Sequence, residues 1–246
     1  SGGTITCAGE WDGASDDAFT PTGGTVTMDG TSNKNLAQHA SSNFYNLTID
    51  NSSGDVDATA ALDIDGDLTI ASGADLDIDG SGVNIELGGS FSNSGTLTSS
   101  GETITLDGTG NVNFSATSNA NTNLTFSKSS GSVTTTGDVT VNDILISSSS
   151  FVVDGETVTV SSVDIDNNGT LNISSGEVAC TGKLDHDGNL TMSGGTLDIN
   201  GEYESSASST ESISGGTITC AGEWDGANDD AFTPTGGTVT MDGTSN

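Results

Sequence analysis

Hydrophobic residues recur along this chain in pairs at positions i and i+2, with Thr, Asp or Asn between the two members. Because successive side chains of a β-strand point to opposite sides, such a pair indicates a short strand that buries one face. No stretch of useful length has hydrophobic residues at helical spacing. The pattern therefore predicts an all-β protein. The first pairs are Ile5/Cys7, Val26/Met28, Leu47/Ile49 and Leu68/Ile70.

These pairs recur with a constant 21-residue step, and two further sets of hydrophobic residues keep the same step. Three strand positions per coil predict a triangular solenoid, in which each strand pairs in parallel with its copy one coil further on. The fold class that we expect is a right-handed parallel β-helix with three strands per coil, about 21 residues per coil and about ten coils per 213-residue repeat. The predicted core residues are Ile5, Cys7, Val26, Met28, Leu47, Ile49, Leu68, Ile70, Phe91, Ile64, Ile85 and Leu106.

The 21-residue step also assigns these residues to columns. It places Phe91 after Ile70, and it stacks Ile64, Ile85 and Leu106 on one another. Near residues 108–132 the spacing slips, and beyond them the columns resume with slightly shorter steps. The two columns of the second half are Val139, Val158, Val178, Leu197, Ile218 and Val239, and Leu124, Ile144, Val163, Leu184, Tyr203 and Trp224.

Residues 214–246 repeat residues 1–33 at 32 of 33 positions, with Asn228 where the first copy has Ser15. The copy of Ser1 is Ser214, which defines a 213-residue period. We expect residues 1–213 to form one complete solenoid repeat and residues 214–246 to begin the next, in a tandem array or in a subunit whose ends overlap. Counting one column from Ile5 to Ile218 gives ten coils, which predicts a rod of roughly 48 Å per repeat that returns to the same face.

Composition narrows the choice of function. Only 31% of the residues are hydrophobic and the net charge is −32, which would suit a disordered chain if the hydrophobic residues were not so regularly placed. Such a charge opposes nucleic acid, acidic polymers and anionic membranes as partners. Among enzymes of this architecture, a lyase needs Arg or Lys, whereas the chain has three such residues in all. His39 and His186 lie too far apart for one site. We expect no enzymatic activity and no membrane-spanning segment.

Acidic residues between the inward hydrophobic ones are predicted to point outward. The 21-residue step would stack Asp65, Glu86 and Asp107 in one column, where like charges about 5 Å apart repel by roughly 0.8 kcal/mol in water. Two interpretations stay open: a solvated acidic face, or sites for Ca²⁺, which prefers oxygen ligands. No cofactor is otherwise expected.

One acidic segment matches the spacing of an EF-hand loop. The match is predicted to be false, because hydrophobic strand columns continue on both sides and an EF-hand needs flanking helices. Its carboxylates could still contribute to a shallow calcium site at a corner of the solenoid. The matching residues are Asp75, Asp77, Asp79, Gly80 and Glu86.

Cys180 and Cys220 are predicted to lie two coils apart, about 9.6 Å, which is beyond the reach of a disulfide. We therefore expect free, buried thiols. Trp11 and its copy Trp224 stand in an irregular segment that recurs once per repeat, and they are candidates for lateral contacts or for carbohydrate binding. An outward ladder of Thr residues, which Asn46 and Asp67 interrupt, also allows an ice-binding surface as an alternative.

Several segments resemble the coils of a known group of proteins. FYNLTID (44–50), GDLTIASGADLDIDG (66–80) and NGTLNISSGEVACTG (168–182) are similar to coils of secreted bacterial β-helix proteins, including filamentous haemagglutinin-type adhesins and autotransporter passenger domains. The resemblance implies an extracellular or cell-surface rod that spaces, adheres or assembles with itself. We expect a structural filament segment, with a carbohydrate- or surface-binding adhesin as the alternative and an ice-binding or polysaccharide-degrading solenoid less favoured.

Overall fold

A computed structural model describes residues 2–13, 18–119, 121–226 and 232–243. In these ranges the regular secondary structure consists of parallel β-strands. The strands are β1 Thr4–Cys7, β2 Trp11–Asp12, β3 Thr25–Met28, β4 Lys34–Ala37, β5 Asn46–Ile49, β6 Val56–Ala58, β7 Leu62–Ile64, β8 Leu68–Ile70, β9 Asp75–Asp77, β10 Ile85–Leu87, β11 Phe91–Asn93, β12 Thr96–Thr98, β13 Thr103–Leu106, β14 Val112–Asn119, β15 Asn123–Val141, β16 Asp143–Val160, β17 Ser162–Cys180, β18 Leu184–His186, β19 Asn189–Met192, β20 Thr196–Ile199, β21 Tyr203–Ser205, β22 Thr210–Ile213, β23 Thr217–Cys220, β24 Trp224–Gly226 and β25 Thr238–Met241.

The strands stack into three faces, so the prediction of a parallel β-solenoid with three strands per coil is confirmed. Face 1 holds β1, β3, β5, β8, β11, β14, β19 and β22. Face 2 holds β2, β4, β6, β9, β12, β20, β23 and β25. Face 3 holds β7, β10, β13, β18, β21 and β24. The long strands β15, β16 and β17 each run around the corners and contribute to all three faces.

The core is the interior of the triangular coil, where the inward residues of all three faces meet. Strand residues alternate between buried and more exposed positions, as in the buried–intermediate alternation of β3, β5 and β20. Both hydrophobic columns predicted for the second half are confirmed pair by pair in the strand register. Burial of these columns is the main favourable term in folding.

Two column assignments in the first half are wrong. Ile85 pairs with Leu62 and Ile104, whereas Ile64 pairs with Leu87. Phe91 likewise pairs with Leu68 rather than following Ile70. The reason is that β7 and β10 are joined by a 23-residue coil and β10 and β13 by a 19-residue coil, so a fixed 21-residue step shifts the assignment.

Ten of the twelve predicted core residues are at most 3% exposed. Ile5 and Cys7 are the exceptions: Ile5 is 45% exposed and Cys7 is half-buried. The physical reason is that β1 pairs on one side only, with β3. Their copies Ile218 and Cys220, which have a coil on both sides, are 1% and 0% exposed.

The predicted return to the same face after ten coils is also wrong. Ten successive pairings lead along face 1 from β1 to β22. The copy of β1 is β23, which is the next strand after β22 and lies on face 2. The 213-residue period therefore contains ten coils and about one third of an eleventh.

The extra third arises where the sequence spacing slips. Pairing between β14 and β15 shifts register after Phe114 and again after Ala116. The segment 112–139, which the column count treats as a single coil, runs from face 1 past a full turn to face 2. The sequence locates the slip correctly near residues 108–132 but does not reveal its size.

Glycine at two corners provides a test of this tight stacking. Gly176 has φ +84°, and an added Cβ would lie 2.2 Å from the carbonyl oxygen of Glu156 in the coil below. Gly73 has a similar φ of +86° but no atom within 4 Å of an added Cβ. We expect Gly73→Ala to cost about 1 kcal/mol of unfolding free energy from its backbone conformation alone, and Gly176→Ala to cost clearly more. Urea denaturation followed by circular dichroism measures both. Equal losses would contradict close packing of coils at this corner.

Candidate functional site

Outward carboxylates on face 3 form the most distinctive polar surface near the N-terminal end. Glu86 in β10 pairs with Asp63 below it and with Thr105 above it. The predicted column of Asp65, Glu86 and Asp107 is therefore wrong, because the longer coil between β7 and β10 moves Glu86 out of that register. Asp63, which the prediction did not include as a metal ligand, takes the place of Asp65 beneath Glu86.

The same carboxylates nevertheless remain neighbours. Asp63, Asp65 and Asp107 line an open groove whose floor includes Gly88 and Gly108. Partial burial raises the pKa of Asp63, and the negative charges of Asp65, Glu86 and Asp107 raise it further. The groove thus concentrates negative charge that would attract cations.

A second acidic column runs along face 3 at the other end of the chain, and sequence reasoning missed it. Its members pair in register over four successive coils: Asp164, Asp185, Glu204 and Asp225. Burial contributes most to the raised pKa of Asp164, and repulsion from neighbouring Asp residues raises it further. Lys183 lies 3.0 Å from Asp185 and also pairs with Glu204. The column could have been found by moving one residue along the correctly predicted Leu184, Tyr203 and Trp224 column.

Three residues of the EF-hand match lie on strands, Asp79 and Gly80 lie between those strands, and the set does not form one helix-flanked loop. Asp75 and Asp77 belong to β9 on face 2, and Glu86 belongs to β10 on face 3. Asp75 accepts a hydrogen bond from the Thr98 hydroxyl at 3.3 Å, and Asp77 accepts one from the backbone N–H of Asp79 at 2.8 Å. Protein donors thus already satisfy part of this set.

Hydroxyl donors one coil away serve other outward carboxylates in the same manner. Asp154 accepts hydrogen bonds from Ser174 at 2.8 Å and from Ser175 at 2.9 Å, which lower its pKa. Thr219 donates to Asp198. In the part of the chain that the structure describes, no group of three or more His, Cys, Asp or Glu side chains is arranged to hold a metal ion. Calcium binding therefore stays a prediction.

A polar cluster inside the solenoid was not found from the sequence. His186 is 0% exposed, and its Nε2 lies 3.4 Å from Oε1 of Glu211, an acidic residue that points inward from β22. The Tyr203 hydroxyl donates to the same carboxylate oxygen at 3.1 Å. These contacts outweigh burial and lower the pKa of Glu211. With so little exposure, the cluster is part of the core and does not offer a binding site.

Lys128 is a second inward polar residue. It is 2% exposed, and its Nζ has no hydrogen-bond partner among the described residues. Burial lowers its pKa, while the charge of Asp107 acts in the opposite direction.

The candidates for a lateral or carbohydrate contact pack against other aromatic rings. Trp11 lies 5.2 Å from Phe19 and 5.3 Å from Phe44 in edge-to-face contacts. Trp224 stacks on Tyr203 at 4.1 Å. Trp11 lies on face 2 and Trp224 on face 3, and both pack against the core in register with the buried residues Leu36 and Tyr203. Residues 14–17 and 227–231 of this segment lie outside the described residues.

The cysteine prediction is confirmed. Cys180 and Cys220 are free, and Ile199 separates them in the same column. Burial raises the pKa of the Cys180 thiol to about 12.

Comparison with known proteins agrees with this architecture. The family model of the haemagglutinin repeat matches residues 22–80, 52–143, 105–179 and 166–222, which together cover most of the chain. The chain belongs to the haemagglutinin repeat family. No curated protein and no solved structure matches it significantly. Family membership and the solenoid fold together make this haemagglutinin repeat chain a structural, adhesin-like repeat protein of the secreted or cell-surface type.

The described residues contain no helix long and apolar enough to cross a membrane.

Carboxylates with opposite pKa shifts give a test of the electrostatics of the outward surface. The raised pKa of Asp63 means that its ionised form is less favourable in the folded state than in the unfolded state. Asp63→Asn should therefore stabilise the fold at pH 7. Asp154 has a lowered pKa, so Asp154→Asn should destabilise it. Both differences should shrink as the pH falls through the respective folded pKa values, because the wild-type carboxylates then become protonated. At Asp63, where solvent still screens the charge, we expect an effect of at most about 1 kcal/mol.

Thermal melts of the two variants and the wild type between pH 7 and pH 3 measure this pattern. Stabilisation by both substitutions at pH 7 would show general charge reduction instead of the local arrangement.

Proposed function

We propose that this haemagglutinin repeat chain is a structural segment of an extracellular rod, which extends by adding coils and acts as a spacer or filament. The observation that carries the proposal is the seamless packing of the second copy of the repeated segment. Leu197 in β20 pairs with Ile218 in β23, which pairs with Val239 in β25, in the register used throughout face 2. Since each coil contacts only its neighbours, the repeat needs no special junction.

The partner implied by this proposal is another copy of the same repeat, in a tandem array or stacked end to end. Because one period is ten coils and about a third, Trp11 lies on face 2 and Trp224 on face 3, each in register with a buried residue, Leu36 or Tyr203. A lateral contact through this segment would accordingly be made in a different direction by successive repeats.

Carbohydrate binding through aromatic residues is a weaker proposal. Binding of sugars to aromatic side chains needs exposed ring faces, yet Phe44 is 1% exposed and Trp11 is half-buried. Of the four aromatic residues around this corner, Tyr45 is the most accessible, at 38% exposed.

The dimensions of the particle test the rod. Ten and a third coils at about 4.8 Å each give about 50 Å for every 213-residue repeat. Small-angle scattering and negative-stain electron microscopy of the purified chain should show thin rods of about this length. A longer chain with one additional 213-residue repeat should lengthen by the same amount at constant width. Compact particles that grow in width would contradict the proposal.

We also propose that Ca²⁺ stabilises the acidic groove of face 3. Support comes from the carboxylates of Asp63, Asp65 and Asp107, which line the groove, and from the raised pKa of Asp63, to which burial contributes most and the charges of Asp65, Glu86 and Asp107 contribute further. Oxygen ligands of this kind suit Ca²⁺.

Thermal melting with added calcium chloride tests the calcium site. A ligand that binds only the folded state raises its stability with concentration, so the melting temperature should rise with Ca²⁺ in the wild type. The rise should be smaller in Asp65→Asn, which leaves the strand core untouched. Sodium chloride at equal ionic strength is the control. Equal responses to both salts, or to Ca²⁺ in wild type and variant, would contradict a specific site.

A further inference from the structure

With the exception of Asp67, the outward side chains at the strand positions of face 1 are uncharged over the described length of the solenoid. In the first half they form one column of hydroxyl groups in register, one coil apart: Thr6, Thr27, Thr48, Thr69, Ser92 and Ser115.

The surface continues through the second half of the chain. Because of the register shift at β14, the continuous outward column there starts from Asn113 and not from Ser115, two residues further along the same strand. There the successive outward residues are Asn113, Thr134, Val152, Asn172, Thr191 and Ser212. In the described strands of face 1, Glu211 is the sole charged residue, and it points inward to His186 and Tyr203. Asp67, immediately before β8, continues the outward column of Thr25 and Asn46, and it accepts a hydrogen bond from the backbone N–H of Ser90 at 2.8 Å. Asp29, Asp50 and Asp154 directly follow strand residues of face 1 and lie at its edge.

This neutrality contrasts with a net charge of −32 for the chain. Face 3 carries acidic columns at both ends, with Asp63 and Glu86 at one end and Asp164 and Asp185 among those at the other. Face 2 carries outward acidic residues such as Asp57 and Asp77, which pair with each other. Charge is therefore segregated to two of the three sides of the rod.

Segregated charge decides how two such rods can approach. Like charges brought together across an interface cost several kcal/mol, so contact through face 2 or face 3 is disfavoured. On face 1 such a cost arises only at Asp67 and at the edges of the face. A second copy also has the same spacing of about 4.8 Å between coils. Any favourable contact between two Thr side chains therefore recurs at every coil along the rod, as identical side chains do between paired sheets.

The size of the surface is sufficient for a weak, specific contact. Eleven strands of face 1, linked by ten pairings, span roughly 50 Å, and a strand of four residues is roughly 13 Å wide. This gives roughly 600 Å² per copy, or about 1,200 Å² in total, the lower end of the range for specific interfaces.

We propose that face 1 is the surface through which two copies of this chain pack side by side, leaving the acidic faces 2 and 3 toward solvent. The inference deepens the proposed structural role, on which it rests for the chain being a rod, by naming the lateral partner.

Sedimentation velocity over a range of protein concentrations tests the pairing with matched variants. The double variant Thr48→Glu/Thr191→Glu places two charges on face 1. The control Thr125→Glu/Thr159→Glu places the same two charges, well apart from each other, at half-buried outward positions of faces 3 and 2. We expect the wild type and the control to form dimers or larger lateral assemblies at physiological salt, more strongly as sodium chloride screens the net charge. The face 1 variant should dissociate about tenfold more readily, since like charges then meet across the interface.

Thermal melts of both double variants show whether each one folds as stably as the wild type. If the face 1 variant melts far below the wild type, Thr48→Asp/Thr191→Asp replaces it at the same sites. A wild type that stays monomeric at all concentrations and salts overturns the pairing, and so does equal weakening by both double variants. A monomeric wild type that instead sediments with cellulose through face 1 also overturns it, in favour of a neutral polysaccharide. Electron microscopy of the same samples separates the two proposals, since isolated thin rods contradict the pairing alone, and compact particles contradict the rod.

Discussion

Hydrogen bonding between each strand and its neighbour one coil away is the interaction on which the rest of the structure depends. It holds coils at a spacing of about 4.8 Å and therefore forces side chains of the same kind into columns. Inward columns become a continuous core that is as long as the rod. Outward columns bring like residues close together, so a chain rich in acidic residues must limit the repulsion between carboxylates in adjacent coils. The Thr and Ser donors that serve Asp198 and Asp154 from the next coil show one solution. The neutral hydroxyl columns of face 1 show another.

The fold could be predicted from the sequence because its physical basis is local and repeated. Each i, i+2 pair of hydrophobic residues reports one strand, and the repetition of pairs reports the coil. The columns through Val158 and Ile144 were correct at every step because the strands β15, β16 and β17 bend around corners without insertions large enough to disturb the count. The sequence contains no comparable pattern that reports the number of residues in each corner between strands. A longer connection between β7 and β10 displaced Glu86 from its predicted neighbours, and the slip between Val112 and Val139 concealed a third of a coil.

The polar interior illustrates a second limit of sequence reasoning. Glu211 occupies an inward position in a column where Leu171 and Leu190 precede it, which hydrophobic patterning cannot anticipate. Its partners come from a different face: His186 and Tyr203 both lie on face 3. Only the packing of one face against another across the core brings them within 3.4 Å and 3.1 Å of the carboxylate. A buried charge of this kind is tolerated when it is paired and hydrogen-bonded, and it favours one register of β22 over the alternatives.

The fractional coil count of the repeat has a consequence for how such a protein can change over generations. Strand β1 of the repeated segment lies on face 1 and its copy β23 on face 2, and β2 on face 2 has its copy β24 on face 3, so different sides of the core accept an identical sequence. Recombination between repeats can then add or delete a whole period without creating a defect in the core. Each such event would nevertheless turn everything beyond it by one face. The number of repeats would set the direction in which a distal surface points as well as its distance from the base, and three added repeats would extend the rod while restoring its original orientation.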